Sequence, residues 1–176
     1  SIKIPPKITR ITDITNEMIE NYGIDERDAA HDLKRVMTPE TVMLAHNAHF
    51  DLSFIYQLLR RNFPWREVDE IVENVKWIDT LTVLKDRKSY SHKLCDAVEY
   101  YKLDEVKYHR AIDDTKALYR VTQKLKYERD DLREYCNLFG YNPKYGVNGK
   151  FKFIRYLPQP YHNGGILPLE RTLPKK

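Results

Sequence analysis

The most constraining stretch of this chain is Val42-Met43-Leu44-Ala45, an apolar run that stops at His46-Asn47 and gives way to a helical pattern. A short apolar run bounded by polar residues lacks the length of a helix and reads as a strand buried on both faces. The pattern that follows has a different period. Phe54, Ile55, Leu58 and Leu59 make an inward stripe on a helix predicted from about Asp51 to Arg61, and Pro64 closes the segment. The same passage recurs further on: Val75–Asp79 reads as a strand running into a helical stretch from Thr80 to Leu84. Strands that alternate with helices in this way predict an α/β sandwich around a partly parallel sheet.

Capping residues place the other helices. Thr15 caps a short helix over residues 16–19, and Asp25 starts a second that carries Ala29, Leu33 and Val36 on one side. Ser91 caps a helix whose Leu94, Ala97, Val98 and Tyr101 share a face. A long helix is predicted from about Ile112 to Tyr127, with Leu118, Val121 and Leu125 facing inward. After Glu134 the composition changes. Residues 137–176 hold five of the nine prolines and five of the six glycines, which predicts turns and one strand near Phe151–Tyr156. The chain therefore divides into a domain over residues 1–134 and a C-terminal extension over residues 135–176.

Charge follows the same division. Residues 141–176 carry seven basic residues against one acid, Glu170, a surplus of +6; the first 140 carry 23 basic against 25 acidic residues, or −2. A near-neutral body with a basic tail suits a polyanionic partner, although a solvated basic surface with no partner accounts for the charge equally well. Tyr141, Tyr145, Phe151, Phe153, Tyr156 and Tyr161 interleave with Lys144, Lys150, Lys152 and Arg155. That mix suits stacking on unpaired bases and contact with phosphates. The competing reading, favoured for the aromatic residues, is a strand packed on the domain. Mean hydropathy is −0.67, and no stretch approaches the length of a membrane span. Cys95 and Cys136, with no second Cys or His at metal spacing, are expected to be buried reduced thiols, so the expected location is cytoplasmic.

Two segments carry chemistry. The first, Ala45-His46-Asn47-Ala48-His49-Phe50-Asp51, lies where a strand ends and a helix begins, which is where open α/β sheets bind ligands. Asp51 is expected to open that helix. The second, His109-Arg110-Ala111-Ile112-Asp113-Asp114, puts a histidine in the loop before a helix and a carboxylate in that helix's first turn. Each carboxylate taken alone is explained as a helix cap. A histidine five residues from a carboxylate is also what activation of water beside a metal needs.

Together the two segments resemble the second and third motifs of the DnaQ-like DEDDh 3′→5′ exonucleases, His-Asn-x-x-Phe-Asp and His-x-Ala-x-x-Asp, in the family's order. Ile11-Thr12-Asp13-Ile14-Thr15 resembles the family's Leu-Thr-Gly-Ile-Thr segment, with Asp13 where Gly is usual. Asp79-Thr80-Leu81 and Ser91-His92-Lys93-Leu94 match segments between the two motifs, so the resemblance covers roughly residues 5–127. It implies an RNase H-like fold and two-metal hydrolysis of phosphodiesters at nucleic-acid 3′ ends, in proofreading, repair or end-trimming, with two Mg²⁺ or Mn²⁺ ions. Residue by residue, it implies Asp51 and Asp114 as metal ligands and His109 as general base, with Asn47 and Phe50 shaping the site. Asp113 is the rival to Asp114, but the family spacing selects Asp114. A related subfamily places Tyr four residues before this Asp; Arg110 stands there, so the histidine version fits. Lys144, Lys150, Lys152 and Arg155 are the expected phosphate contacts.

The family's first motif, Asp-x-Glu at the end of the first strand, does not occur in the sequence. Two of the four metal carboxylates and the N-terminal strands of the fold are therefore expected outside it. The favoured explanation is a chain that is part of a longer one; strands supplied by another chain and a non-catalytic relative are the alternatives. Residues 1–176 alone are expected to have little activity. The expected partners are a single-stranded 3′ end, DNA before RNA on family frequency, and a polymerase or other protein supplying context. The alternatives are an RNA- or oligonucleotide-trimming exonuclease and a non-catalytic nucleic-acid-binding relative.

Overall fold

The computed structural model describes residues 3–88, 91–103 and 111–159. In chain order the elements are α1 (Pro6–Thr12), α2 (Asn16–Tyr22), α3 (Glu26–Val36), β1 (Val42–Ala45), α4 (Ala48–Asn62), α5 (Trp65–Asn74), β2 (Lys76–Asp79), α6 (Thr80–Arg87), α7 (Leu94–Tyr100), α8 (Ala111–Glu128), a 3₁₀ turn (Leu132–Tyr135), β3 (Leu138–Tyr141) and β4 (Arg155–Pro158). The architecture is mixed α/β, as the strand–helix alternation predicts.

The strands form two parallel pairs. β1 lies beside β2 with Val42 opposite Lys76 and Ala45 opposite Asp79. β3 lies beside β4 with Leu138 opposite Arg155. Asn137 bridges the pairs. Asn137, in the left-handed region at φ 54°, donates its backbone N–H to the Trp77 carbonyl (2.8 Å), and its side-chain Oδ1 accepts the Trp77 N–H (2.8 Å). Asparagine tolerates that backbone conformation, and its amide here replaces a strand partner.

The cores sit on either side of these strands. One contains Ile78, Val83 and Leu84 with Ala97, Val98, Val121 and Leu125 of α7 and α8. The other gathers Trp77, Val68 and Val72 around Leu52 and Leu59 of α4. The extension expected after residue 134 packs on both: Tyr135, Leu138 and Leu157 join the first core, Phe139 and Ile154 the second. A buried polar network holds its start. The Tyr135 hydroxyl donates to Asp86 Oδ2 (2.5 Å) and accepts from Arg129 Nη2 (2.9 Å), while Arg87 pairs with Asp131.

Most capping expectations appear as drawn. Thr15 Oγ1 accepts from Met18 N–H (3.1 Å), and Asp25 Oδ1 from Arg27 N–H (2.8 Å). Four differ. Ser91 does not cap α7, whose N-cap is Lys93; its hydroxyl bonds the Asp96 side chain instead. The α4 stripe is displaced: Leu52 and Leu59 are buried, whereas Phe54 is 64% exposed and stacks on Phe50 four residues back. The helix begins three residues earlier than its pattern suggests, for a reason found in the site. The C-terminal strand starts at Arg155, beyond Phe151 and Phe153, because Ile154 N–H first closes a turn onto the Phe151 carbonyl (3.2 Å). Cys95 and Cys136 are free, but partly rather than fully buried.

Candidate active site

The site is organised by Asp79, which ends β2 and is buried (3% exposed). Its Oδ1 accepts the N–H groups of Asn47 (2.9 Å), Ala48 (3.2 Å) and Leu81 (3.1 Å), and its Oδ2 accepts the Thr82 hydroxyl (2.7 Å). One carboxylate therefore caps α6 and clamps the start of α4. Helix N-termini leave N–H groups unpaired, and a carboxylate there also answers the helix dipole. The clamp holds Asn47 in the left-handed region (φ 70°, ψ 53°), so α4 begins at Ala48. Asp51 consequently lies inside the first turn rather than opening the helix, and its carboxylate is released from capping.

His46 is held from the same side. The Thr80 hydroxyl lies 3.2 Å from the Ala45 carbonyl and 3.0 Å from His46 Nδ1, so it holds the imidazole against the end of β1. Burial pushes the His46 imidazole below its ordinary pKa, with the Asp79 charge opposing, so the neutral ring is favoured.

A cavity of about 650 Å³ opens here, lined by His46, Phe50, Asp51, Cys95 and Asp114 among others. It collects the end of β1 and the first turns of α4, α7 and α8. Asp51 and Asp114, far apart in sequence, face this one space. The Asp51 carboxyl is pushed above the usual carboxylate range by desolvation, and the Asp79 charge adds to the rise. An ionised carboxylate so placed is stabilised by a cation. Hard oxygen donors suit Mg²⁺ or Mn²⁺, and the two carboxylates fit such an ion in chemistry. Among the described residues no group of three or more His, Cys, Asp or Glu side chains converges on a metal position.

The other candidates are distributed as follows. Phe50 lines the cavity with its ring 59% exposed. Asn47 opens onto a neighbouring, smaller cavity. Lys150 and Lys152 line a third cavity with Tyr56, Asp69 and Glu73. Lys144 Nζ sits over the Tyr145 ring, 5.5 Å from its centroid. Arg155 donates to the Glu134 (3.2 Å) and Cys136 (3.3 Å) carbonyls, which ties the start of β4 to the 3₁₀ turn. His109 lies outside the described residues. The motifs themselves did not reveal the Asp79 clamp or the His46–Thr80 pair. Their signal is Asp79-Thr80-Leu81-Thr82, an acidic cap followed by hydroxyl residues at the end of an apolar strand.

Comparison with known proteins addresses the family. The exonuclease family model matches residues 1–122. The chain is 28% identical over 149 residues to the PolC-type DNA polymerase III of Latilactobacillus sakei, which covers 84% of this chain and 10% of the polymerase. It is 35% identical over 123 residues to the PolC-type DNA polymerase III of Mycoplasma genitalium, covering 67% of this chain and 8% of the polymerase. The corresponding protein of Thermotoga maritima is 31% identical over 124 residues, 69% of this chain and 8% of that protein. The chain thus spans about a tenth of the length of these relatives. No solved structure matches it at a significant level. No described helix is long and apolar enough to cross a membrane. With the family model covering more than half of its length, the chain belongs to the DnaQ-like exonuclease family.

Proposed function

We propose that the chain carries the catalytic half of a metal-dependent 3′→5′ exonuclease with an RNase H-like core, acting on single-stranded DNA ends. The observation that supports this reading best is the convergence of Asp51 and Asp114 on one cavity at the end of β1. Asp51 and Asp114 hold the metal, with further carboxylates coming from outside the described residues. Two Mg²⁺ or Mn²⁺ ions, when bound, would supply Lewis-acid activation of water and charge stabilisation for the leaving oxygen. His109, which precedes α8 in the sequence, would be the general base. Asp79 keeps Asp51 in position through the α4 clamp, and neutral His46 forms a wall that adds no charge beside the carboxylates. Phe50 offers an exposed ring to the terminal base. The polymerase relatives favour DNA and a polymerase setting for the whole protein.

The test is the polarity of digestion. The complete protein, given Mn²⁺ and single-stranded DNA labelled at its 5′ end, is expected to produce a ladder of progressively shorter labelled fragments, abolished by chelator. Immediate release of the labelled 5′ nucleotide, or digestion that persists in chelator, overturns the proposal.

A further inference from the structure

A second cavity, of about 230 Å³, abuts the same turn of α4. Asn47 and His49 line it, whereas Phe50 and Asp51 of that turn line the larger cavity. Its remaining walls include Lys85, Tyr141, Tyr145 and Asn148. The turn that encloses it is built by Asn142. The Asn142 side chain accepts from Lys144 N–H (2.9 Å), and its carbonyl accepts from the N–H groups of Tyr145 (3.0 Å) and Gly146 (3.1 Å). Gly146 takes a φ of 67°, which favours glycine. His49 Nε2 lies 3.2 Å from the Gly149 carbonyl and pins the far end of the turn to α4. The turn is thus formed in advance, and it presents the Tyr145 ring 76% exposed.

The chemistry of the lining separates the two cavities. The larger one carries two carboxylates; the smaller has none, and is lined by a lysine, a histidine, amides and tyrosine rings. An acid-free, cationic and aromatic lining takes an anion with a π-face. The volume is below that of sites for drug-sized ligands, which run from about 300 Å³, so a single nucleotide unit is the matching size. Asn47 and Asp51 are four residues apart, roughly 6 Å along a helix, or about two stacked nucleotide steps of ~3.4 Å.

We infer that the smaller cavity is a nucleotide subsite. It holds a nucleotide on the 5′ side of the bond cut at Asp51 and Asp114, with its base on Tyr145. The inference rests on the nuclease reading for its placement relative to the cut.

The test is binding of 5′-fluorescein-labelled octathymidylate to the complete protein in EDTA, followed by fluorescence anisotropy. Stacking on one aromatic ring corresponds to roughly 5- to 150-fold in affinity. Tyr145→Ala is expected to weaken binding within that range and Tyr145→Phe to stay within about twofold of wild type. Because the ring is exposed, unchanged thermal melting of both variants is expected to show that the fold is kept. Asn148→Ala tests the amide wall by a smaller loss. Wild-type affinity in Tyr145→Ala, or a loss in Tyr145→Phe equal to that in Tyr145→Ala, overturns the subsite. The assay needs no metal and no hydrolysis. Tyr145-dependent binding by a protein that never digests DNA therefore refutes the nuclease reading and leaves the subsite standing. Digestion with Tyr145-independent binding does the reverse.

Discussion

Replacing Asp79 by alanine is expected to damage the fold more than any substitution in the cavity itself. Four donors meet this carboxylate, but water can replace it at only some of them. Asn47 is exposed and Leu81 partly so, and their N–H groups can turn to solvent. The bonds from Ala48 N–H and the Thr82 hydroxyl are buried. A hydrogen bond to a charged acceptor contributes about 1.5–3 kcal/mol, so losing these two costs about 3–6 kcal/mol. That is a large part of the 5–15 kcal/mol typical of a domain. Asp79→Asn keeps an oxygen acceptor and the side-chain volume and is expected to cost about 1–3 kcal/mol. Urea unfolding followed by circular dichroism measures both through the midpoint at constant slope. In Asp79→Asn the Asp51 carboxyl, relieved of a neighbouring charge, also titrates lower. Asp79→Ala within 1 kcal/mol of wild type would refute the clamp and its control over where α4 starts.

Other consequences follow from the same geometry. Tyr135→Phe removes a buried hydroxyl that donates to Asp86 and accepts from Arg129, and is expected to cost about 1–3 kcal/mol by urea midpoint, with little effect on any nuclease activity. Burial first of all, with Asp86 adding to it, pushes that hydroxyl well above the ordinary tyrosine range, so its ionisation does not contribute at neutral pH. Asp51 binds a proton more tightly folded than unfolded, so its contribution is favourable below the ordinary Asp value and is lost as pH rises through the raised folded value. Asp51→Asn is therefore expected to melt no lower than wild type at pH 7 in EDTA, with a flatter pH dependence, and to lose the stabilisation by added Mn²⁺; a lower melting temperature in EDTA contradicts this. Changing Lys144, Lys150 and Lys152 together to glutamine is expected to reduce the salt slope of single-stranded DNA binding by about 2 if all three meet phosphates; an unchanged slope removes them from the interface.

The sequence makes Asp51 and Asp114 legible because each sits at a fixed offset from a recognisable helix start, and the motif order implies that the two starts meet. It does not show why they meet. The clamp depends on a contact between Asp79 and Asn47 that joins two strand ends distant in sequence. The same contact sets the start of α4, and Phe54, which the apolar pattern puts inward, instead lies outside against the Phe50 ring. α5 is unforeseen although Val68, Ile71 and Val72 fall at i, i+3 and i+4 on one helix face: the charged residues around that short stripe mask it, and the face packs against α4. β3 is obscured by its surroundings. Leu138 and Phe139 are core residues set in a glycine- and proline-rich segment, and their strand is joined to β2 by the side chain of Asn137, which no periodicity encodes.

The central claim is that Asp51 and Asp114 act together on a metal that cuts nucleic acid. Mn²⁺-dependent digestion of labelled single-stranded DNA by the complete protein, compared among wild type, Asp51→Asn, Asp114→Asn and the double variant, tests it most directly. Each single variant is expected to lose at least a thousandfold in rate, about 4 kcal/mol, and the double variant little more, because removing either carboxylate already disables the shared site. Digestion at the wild-type rate in either single variant would contradict it.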